Sequence, residues 1–255
     1  MTVIRLQGRH YRTYPAERYL GYQEVPLELD PATTAFLIVD VYGQFPEAGG
    51  TEQTGLEYML GNEWDIVANH IRPAKDAAKR LSIPCVYATN SAPRIELQRS
   101  AFGIQREENV GQTLEELFAE SVNDPLEYVA GSSSYIEHAD VIAPQSDDYY
   151  IRKYVYSGFW DTRLDSLLRN LGIRTLVCAG FAADICLLGT MIDALYRNYK
   201  IVLLRDATQA VEIPEFDGTD GAFTRRIVLW TECHLGHTCT AADWVAACES
   251  AGEKK

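Results

Sequence analysis

Three residues of this 255-residue chain have the side chains that nucleophilic catalysis needs: Asp40, Lys153 and Cys186. Asp40 ends the apolar run TAFLIVD, Lys153 lies in YYIRKYV, and Cys186 follows RTLVCAG and the small-residue turn FAAD. At the start of the helix predicted for ICLLGTMIDALY, unpaired N–H groups and the helix dipole stabilise a thiolate. A carboxylate can accept the thiol proton while a lysine stabilises the anions, so the trio predicts a cysteine nucleophile.

Each of these residues alone has a simpler structural interpretation. A cysteine in a sheet protein is commonly a small core residue, and an aspartate after a strand commonly caps a turn or pairs with a cation. Buried charges are costly unless they are paired or used. The combination therefore favours an active site more strongly than any one member does.

Polar and aromatic residues that follow the same strands are candidates for substrate binding. Asn90 comes at the end of the second apolar run and can hydrogen-bond an amide, or it can satisfy local backbone instead. Tyr156, Phe159 and Trp160 can wall a pocket, although aromatic residues at a strand-to-helix junction often only pack. Gln98 lies on the loop after the second run, where solvation is the simpler interpretation.

Apolar runs of strand length alternate with helical patterns along the chain. The predicted strands are TAFLIVD (34–40), PCVYAT (84–89), YYIRKYV (149–155), RTLVCAG (174–180) and KIVLLRD (200–206). The segments WDIVANHIRPAKDAAKRL, TRLDSLLRNLG and ICLLGTMIDALYRN have apolar side chains at helical spacing. This alternation predicts an α/β fold with a mostly parallel, doubly wound sheet, in which ligands bind beyond the carboxyl ends of the strands.

Capping signals mark several helix ends. Thr162 with Asp165, and Thr240 with Asp243, match the capping box. Gly172 suits a C-terminal cap.

Composition and charge narrow the class of protein. Hydrophobic residues make up 47% and charged residues 23%, as in a globular protein with ample core. The net charge of -13, with no basic run, opposes binding to nucleic acid or an anionic membrane. The first residues lack the apolar stretch of a secretory signal and the six cysteines lack regular spacing, so we expect reduced thiols in a cytoplasmic protein.

The first 33 residues show no clear periodicity. We expect residues 1–33 to form an N-terminal arm over the sheet or on a neighbouring subunit, followed by one domain at 34–255. A homo-oligomer is expected as well.

These motifs resemble the isochorismatase-like cysteine hydrolases, which use an Asp–Lys–Cys triad on a three-layer α/β/α sandwich. The matching segments are LIVD-x-x-x-x-F with Asp40 and Phe45, KYVYSGFWDTRLDSLLRNLGIRTLV with Lys153, and GFAADICLLGTMIDA with Cys186. The separation of 33 residues between lysine and cysteine, and the block YSGFWDTRLDSLLR, are similar to the ureidoacrylate amidohydrolase branch. The resemblance covers roughly residues 34–250 and adds Phe45 to the candidate substrate-binding residues.

The sequence departs from this family pattern in two places. After Asp40 the family usually has Gln and then Asn or Asp, whereas Tyr42-Gly43-Gln44 stands here. Before the cysteine the usual Ala-Thr-x-x-Cys is replaced by AADIC. We expect Asp184 in this segment to cap the helix; the alternative is that it raises the pKa of the thiol.

The resemblance also implies a backbone feature, a non-proline cis peptide between Phe181 and Ala182. With the peptide in this form, the backbone N–H groups of Ala182 and Cys186 would make the oxyanion hole.

The segment ECHLGHTC contains several potential metal ligands: Cys233, His234, His237 and Cys239. Their spacing does not match the usual zinc clusters, and a short strand leading to the Thr240 cap explains the segment better. Nicotinamidase-like members of the resembled family bind a metal through an Asp-x-His pattern after the second strand, and NSAPRIELQ has no such pair. We therefore expect neither a metal nor another cofactor.

The residues and the resemblance together predict a cysteine-dependent amidohydrolase. Its substrate would be a small amide or ureide of the ureidoacrylate, biuret or carbamoyl type, cleaved at a linear C–N bond through a thioester. A catalytically silent binding or assembly module is one alternative, motivated by the altered residues near Asp40 and Cys186. A vinyl-ether hydrolase of the isochorismate type is another, but it acts without a cysteine nucleophile, so Cys186 counts against it.

Overall fold

The five apolar runs predicted as strands are five neighbouring strands, one of them at the edge, of a sheet with eight strands in the described part of the chain. The computed structural model describes residues 2–18, 21–42, 63–90, 140–212 and 221–253, together with positions 101, 104, 105 and 108. Its strands are β1 (Ile4–Arg12), β2 (Gly21–Leu29), β3 (Thr34–Val39), β4 (Cys85–Asn90), β5 (Tyr149–Lys153), β6 (Thr175–Phe181), β7 (Lys200–Gln209) and β8 (His237–Cys239).

Helices lie between the strands and after the last one. They are α1 (Glu63–Ile66), continued by a π-helical turn (Val67–Ile71) into α2 (Arg72–Arg80), then α3 (Leu164–Asn170), α4 (Cys186–Tyr196), α5 (Ala222–His234) and α6 (Ala241–Gly252). Single 3₁₀ turns occur at Ala16–Arg18, Pro31–Thr33 and Asp140–Ile142. Within the described ranges, no helix is long and apolar enough to cross a bilayer.

The strand order is β2-β1-β8-β7-β6-β3-β4-β5. The strands from β8 to β5 pair in parallel, and the β1–β2 and β1–β8 pairs are antiparallel. The chain runs outward from β3 to β4 and β5, and then returns to β6 and β7 on the other side. The mostly parallel, doubly wound α/β sheet predicted from the sequence is confirmed.

Alternate side chains of the central strands enter two separate cores. Phe36 and Ile38 of β3 point into a core with α2 and α6, whose Trp244 is completely buried. Leu37 of β3 points into the opposite core, where Leu187 of α4 lies. Because helices cover both faces, the buried strands are apolar throughout, which is why they appear in the sequence as unbroken runs. These layers make the three-layer α/β/α sandwich.

The N-terminal segment differs from the sequence-based expectation. Strands β1 and β2 do not lie over the sheet; they pair antiparallel, with Ile4 opposite Leu29, and extend the sheet edge beyond β8. Burial alternates along β1, with Ile4, Leu6 and Gly8 buried. One face of the strand therefore joins the core, and the alternation is weak in sequence because a glycine occupies the third inward position.

The capping predictions have mixed outcomes. Thr240 and Asp243 form the full capping box at the start of α6, and Gly172 follows α3 with a positive φ of 73°, as predicted. The capping box at Thr162 was wrong. Its hydroxyl accepts a hydrogen bond from the Leu164 amide, but Asp165 instead binds Arg169 and the Tyr199 hydroxyl.

At Gly180, beside the carboxyl end of the sheet, the backbone of β6 is turned so that a side chain would point at the backbone of β3. Gly180 has a φ of +114°, and a Cβ there would lie 2.0 Å from the carbonyl oxygen of Val39. Only glycine fits this position, because any side chain would collide with backbone. This glycine therefore belongs to the pairing of the two strands whose ends lead to Asp40 and Cys186.

Candidate active site

The candidate site lies where the carboxyl ends of three parallel strands meet the start of a helix. Asp40 directly follows β3, Asn90 ends β4, Lys153 ends β5, and Cys186 is the first residue of α4. The Asp40 amide still donates to the Ala88 carbonyl, but its φ of 47° turns the chain away from the sheet. Since parallel strands end at the same edge, residues far apart in sequence meet there.

The lysine ammonium is the centre of this cluster. Lys153 Nζ lies 2.8 Å from Asp40 Oδ2 and 3.3 Å from Cys186 Sγ. It also donates to Asn90 Oδ1 and, at 3.3 Å, to the Val155 carbonyl. The side chain of Lys153 is completely buried and that of Asp40 nearly so, so the ion pair is shielded from water. The structure thus brings together the three residues that the sequence singled out.

A fourth side chain, Tyr42, completes the cluster. Its hydroxyl donates to Asp40 Oδ1 at 2.5 Å and accepts a hydrogen bond from the Asn90 amide at 3.0 Å. Asn90 therefore contacts Tyr42 through its backbone and Lys153 through its side chain. The sequence marked Tyr42 only as a departure from the family pattern and gave it no role.

Burial controls the protonation of the nucleophile. Burial and the charge of Asp40 raise the pKa of Cys186 to about 12, and Lys153 opposes them only in part. The position of Cys186 at a helix start predicts a stabilised thiolate, and this prediction is not met. Cys186 is only 9% exposed and faces the Asp40 carboxylate, so its side chain is a thiol near neutral pH.

The lysine, in contrast, stays charged. Burial acts to lower the pKa of Lys153, but the charge of Asp40 and the hydrogen bond to it outweigh burial and raise that pKa. The site at neutral pH accordingly holds an ammonium, and its thiol has a basic oxygen close by.

Thr190 anchors the start of α4 and was not identified from the sequence. Its hydroxyl donates to the Cys186 carbonyl at 2.7 Å and accepts from the Gly158 amide at 2.9 Å. These bonds tie the helix that carries the nucleophile to the segment after Lys153. A threonine four residues after a cysteine at a helix start is a usable signal, since Ser and Thr often bond the carbonyl of residue i−4.

The predicted substrate-binding residues differ from one another in exposure and in distance from the cluster. Tyr156 is 37% exposed and lies beside the first turn of α4, where a Cβ on Gly189 would approach the Tyr156 Cβ to 3.5 Å. Trp160 is half exposed. The loop residues Phe45 and Gln98 lie outside the described part of the chain.

Phe159 packs in the core near the far end of α4. Its ring packs 5.9 Å from the ring of Tyr199, and the Arg197 guanidinium lies over it. Both partners follow the C-terminal end of α4, whereas Cys186 begins that helix. Phe159 is a core residue in this region, as the packing alternative had it.

The turn before α4 has the backbone form that the family resemblance implied. The Phe181–Ala182 peptide is cis. Asp184 does not cap α4; its carboxylate accepts a hydrogen bond from the Val211 amide at 3.0 Å. The expected cap was wrong because this carboxylate holds the segment after β7 in place.

The segment ECHLGHTC is divided between two elements. Cys233 and His234 end α5, whereas His237 and Cys239 belong to β8, the short strand expected before Thr240. Among the described residues, no group of three or more His, Cys, Asp or Glu side chains is placed to hold a metal ion.

Comparison with known proteins identifies the family. The isochorismatase domain matches residues 34–217. The chain belongs to the isochorismatase family. It is 29% identical over 213 residues to the ureidoacrylate amidohydrolase RutB of Methylobacterium radiotolerans, a match that covers 77% of this chain and 80% of the relative. RutB of Pseudomonas syringae pv. syringae is 29% identical over 202 residues, covering 78% and 79%.

Solved structures agree with this assignment. A cysteine hydrolase from Pseudomonas syringae pv. phaseolicola is 26% identical, with a TM-score of 0.68 and coverage of 88% of this chain and 95% of that chain. An N-carbamoylsarcosine amidase from Thermoplasma acidophilum is 26% identical, with a TM-score of 0.57 and coverage of 82% and 96%. These comparisons confirm the resemblance drawn from the sequence and the assignment as a hydrolase of this family.

Proposed function

We propose that this protein is a cysteine-dependent amidohydrolase that cleaves a C–N bond of a small linear amide or ureide through a thioester. The observation that carries the proposal is the contact of Lys153 Nζ with both Asp40 Oδ2, at 2.8 Å, and Cys186 Sγ, at 3.3 Å. A carboxylate, an ammonium and a thiol at this separation can exchange a proton and stabilise the resulting anion.

In the first half of the reaction, Cys186 attacks the substrate carbonyl and its proton moves to Asp40. Because the pKa of Cys186 is about 12, the proton leaves as the C–S bond forms and not beforehand. The oxyanion is held by the backbone N–H groups of Ala182 and Cys186 at the start of α4. Asp40 then returns its proton to the nitrogen of the breaking C–N bond, and the amine leaves.

In the second half, water hydrolyses the thioester. Asp40, again ionised, takes a proton from the water as the water oxygen attacks the thioester carbonyl. The C–S bond breaks, the acid product leaves, and the proton returns to the sulfur. Lys153 remains protonated throughout and balances the charge that alternates between Asp40 and Cys186.

The substrate class comes from the relatives. Their names describe a ureidoacrylate amidohydrolase and an N-carbamoylsarcosine amidase, and a carbamoyl group bonded to nitrogen is common to both of those substrates. We propose a substrate with the same H₂N–CO–N unit. Tyr156, beside the first turn of α4, and Asn90 are the described residues proposed to contact it.

Release of ammonia from a panel of ureides, carbamoyl amino acids and aryl amides tests the proposal. The wild type is expected to turn over at least one ureido or carbamoyl compound, and Cys186→Ala is expected to lose at least about 10³-fold in kcat because the thioester cannot form. Mass spectrometry of acid-quenched enzyme and substrate should show the acyl group on Cys186.

Cys178→Ala is the matched control, since Cys178 is another buried cysteine, on β6, and its loss should leave kcat unchanged. Full activity of Cys186→Ala would refute the proposed mechanism. A wild type that releases no ammonia from any compound and whose Cys186 is inert to iodoacetamide would favour the silent binding module.

A further inference from the structure

Tyr42 closes a ring of polar contacts around the proposed base. Its hydroxyl donates to Asp40 Oδ1 at 2.5 Å, and the backbone N–H of Asn90 donates to that hydroxyl at 3.0 Å. The Asn90 side chain accepts from Lys153, and Lys153 pairs with Asp40 Oδ2 at 2.8 Å. Tyr42 therefore contacts one carboxylate oxygen of Asp40 and Lys153 contacts the other. Asn90 hydrogen-bonds to both Tyr42 and Lys153.

The polarity of the Tyr42 contact is fixed. Burial, followed by the charge of Asp40, raises the pKa of Tyr42 well above its ordinary value, so the hydroxyl keeps its proton at neutral pH. The Asn90 N–H can only donate, and it occupies the hydroxyl oxygen. The remaining O–H is therefore directed at Asp40.

We propose that Tyr42 is a positioning residue of this site: it fixes the Asp40 carboxylate, leaves Oδ2 to Lys153, and stabilises the ionised form that receives the thiol proton. A hydrogen bond from a neutral donor to a charged acceptor is stronger than one between neutral groups. The inference rests on the proposed function, because it takes Asp40 to be the acceptor of the Cys186 proton.

A pure packing role would have different consequences. If Tyr42 only filled space, its hydroxyl would affect the amount of folded protein and nothing else. If it stabilises ionised Asp40, its loss must shift the pH at which Asp40 begins to work as a base. The described titratable groups that face Asp40 are Lys153 from β5, Cys186 from α4 and Tyr42 itself. Lys153 stays protonated at neutral and acidic pH. The acid limb therefore follows the proton shared by Cys186 and Asp40, and its displacement in Tyr42→Phe measures the effect of the tyrosine hydroxyl on the Asp40 carboxylate.

The test is the rate of Cys186 alkylation by iodoacetamide from pH 5 to 9, followed by peptide mass spectrometry. In Tyr42→Phe we expect the acid limb of this rate to move to higher pH by about one unit, and the rate near its lower end to fall about tenfold, because ionised Asp40 loses a charge-assisted hydrogen bond. The acid limb of kcat/KM for the substrate found in the ammonia screen should move by the same amount.

Tyr87→Phe is the matched control. Tyr87 is a buried tyrosine of β4 whose hydroxyl donates to the Ile142 carbonyl at 2.6 Å. Its loss should lower the melting temperature without moving the limb. The alkylation is measured at a temperature at which circular dichroism shows Tyr42→Phe to be folded, so that exposed thiol of unfolded chain does not contribute to the limb.

The two proposals fail in different ways. If wild-type Cys186 is alkylated with an acid limb that Tyr42→Phe leaves in place, the role of Tyr42 is wrong and the proposed function stands. If the wild type releases no ammonia from any compound and its Cys186 does not react at any pH in this range, the proposed function falls, and the inference about Tyr42 falls with it.

Discussion

Among single residues, Lys153 has the central role, because its ammonium balances the negative charge of the site. Its ammonium is completely buried and contacts Asp40, Cys186 and Asn90. Separating two charges from water costs several kcal/mol for each ion, and only their mutual contact and further hydrogen bonds offset that cost. The cluster therefore couples the stability of the fold to the arrangement of the proposed catalytic groups.

This coupling predicts that Lys153→Met is both inactive and unstable. We expect the free energy of unfolding to fall by about 3–5 kcal/mol, because Asp40 would remain buried without its cation. Urea denaturation and the ammonia assay measure the two effects. The double variant Asp40→Asn, Lys153→Met removes both charges and should regain much of the stability while staying inactive. A single variant as stable as the wild type would contradict the prediction.

The sequence predicted the three proposed catalytic residues, because each lies in, at the end of or shortly after an apolar run and the carboxyl ends of parallel strands converge. It did not predict the contacts of Tyr42. The backbone turns at Asp40, where φ is 47°, and this turn brings the tyrosine hydroxyl back to the carboxylate two residues earlier. Hydrophobic periodicity carries no information about such a turn, since the strand pattern has already ended.

At the scale of elements, the contact between β3 and β6 sets the separation of Asp40 and Cys186. Gly180→Ala should prevent folding into soluble protein, because its Cβ would lie 2.0 Å from the Val39 carbonyl oxygen at a φ of +114°. Gly172→Ala is the matched control. That glycine also has a positive φ, +73°, but no atom lies within 4 Å of the added Cβ.

Gly172→Ala should therefore lower the free energy of unfolding by only about 1–2 kcal/mol, because an L-residue is strained in a left-handed backbone conformation. Soluble yield and urea denaturation of the two variants measure the difference. Equal behaviour of Gly180→Ala and Gly172→Ala would show that the Val39 backbone does not exclude a side chain at position 180.

Elements inside the parallel sheet were easier to predict than those at its edge. The strands β3, β4 and β6 are mostly apolar and buried, and β7 is apolar and buried over residues 201–204, so each contains a clear run in the sequence. In contrast, β2 alternates between half-buried and exposed positions and contains Pro26, which is tolerated because β2 is an edge strand. Its identity depends on pairing with β1, which a local pattern does not reveal.

At the scale of the whole molecule, the buried thiols make the fold sensitive to alkali. Burial raises the pKa of five cysteines from 9.0 to about 12: Cys85, Cys178, Cys186, Cys239 and Cys248. In the unfolded chain these thiols lose their protons near pH 9, while in the native state they keep them. The unfolded state thus binds fewer protons than the native state between about pH 9 and 12, and stability decreases with rising pH.

We expect the free energy of unfolding to be independent of these thiols below pH 8 and to fall above pH 9. Each thiol contributes up to about 1.4 kcal/mol per pH unit to the decline. Urea denaturation at pH 8, 9.5 and 10.5 under reducing conditions measures it. Cys178→Ala, which removes one of the five groups, should decline less steeply than the wild type. A stability that stays constant up to pH 10.5 would rule out this account.

The hairpin at the sheet edge has a practical consequence for anyone who shortens this protein. The isochorismatase domain matches residues 34–217, yet β1 pairs with β8, and Ile4 shares a core with Trp244 of α6. The segments before and after the matched residues therefore contact each other, next to β7 in the sheet. A truncation to residues 34–217 would remove β1, β2 and β8 and expose apolar residues at the edge of the sheet. Expression should therefore retain every residue from β1 to α6.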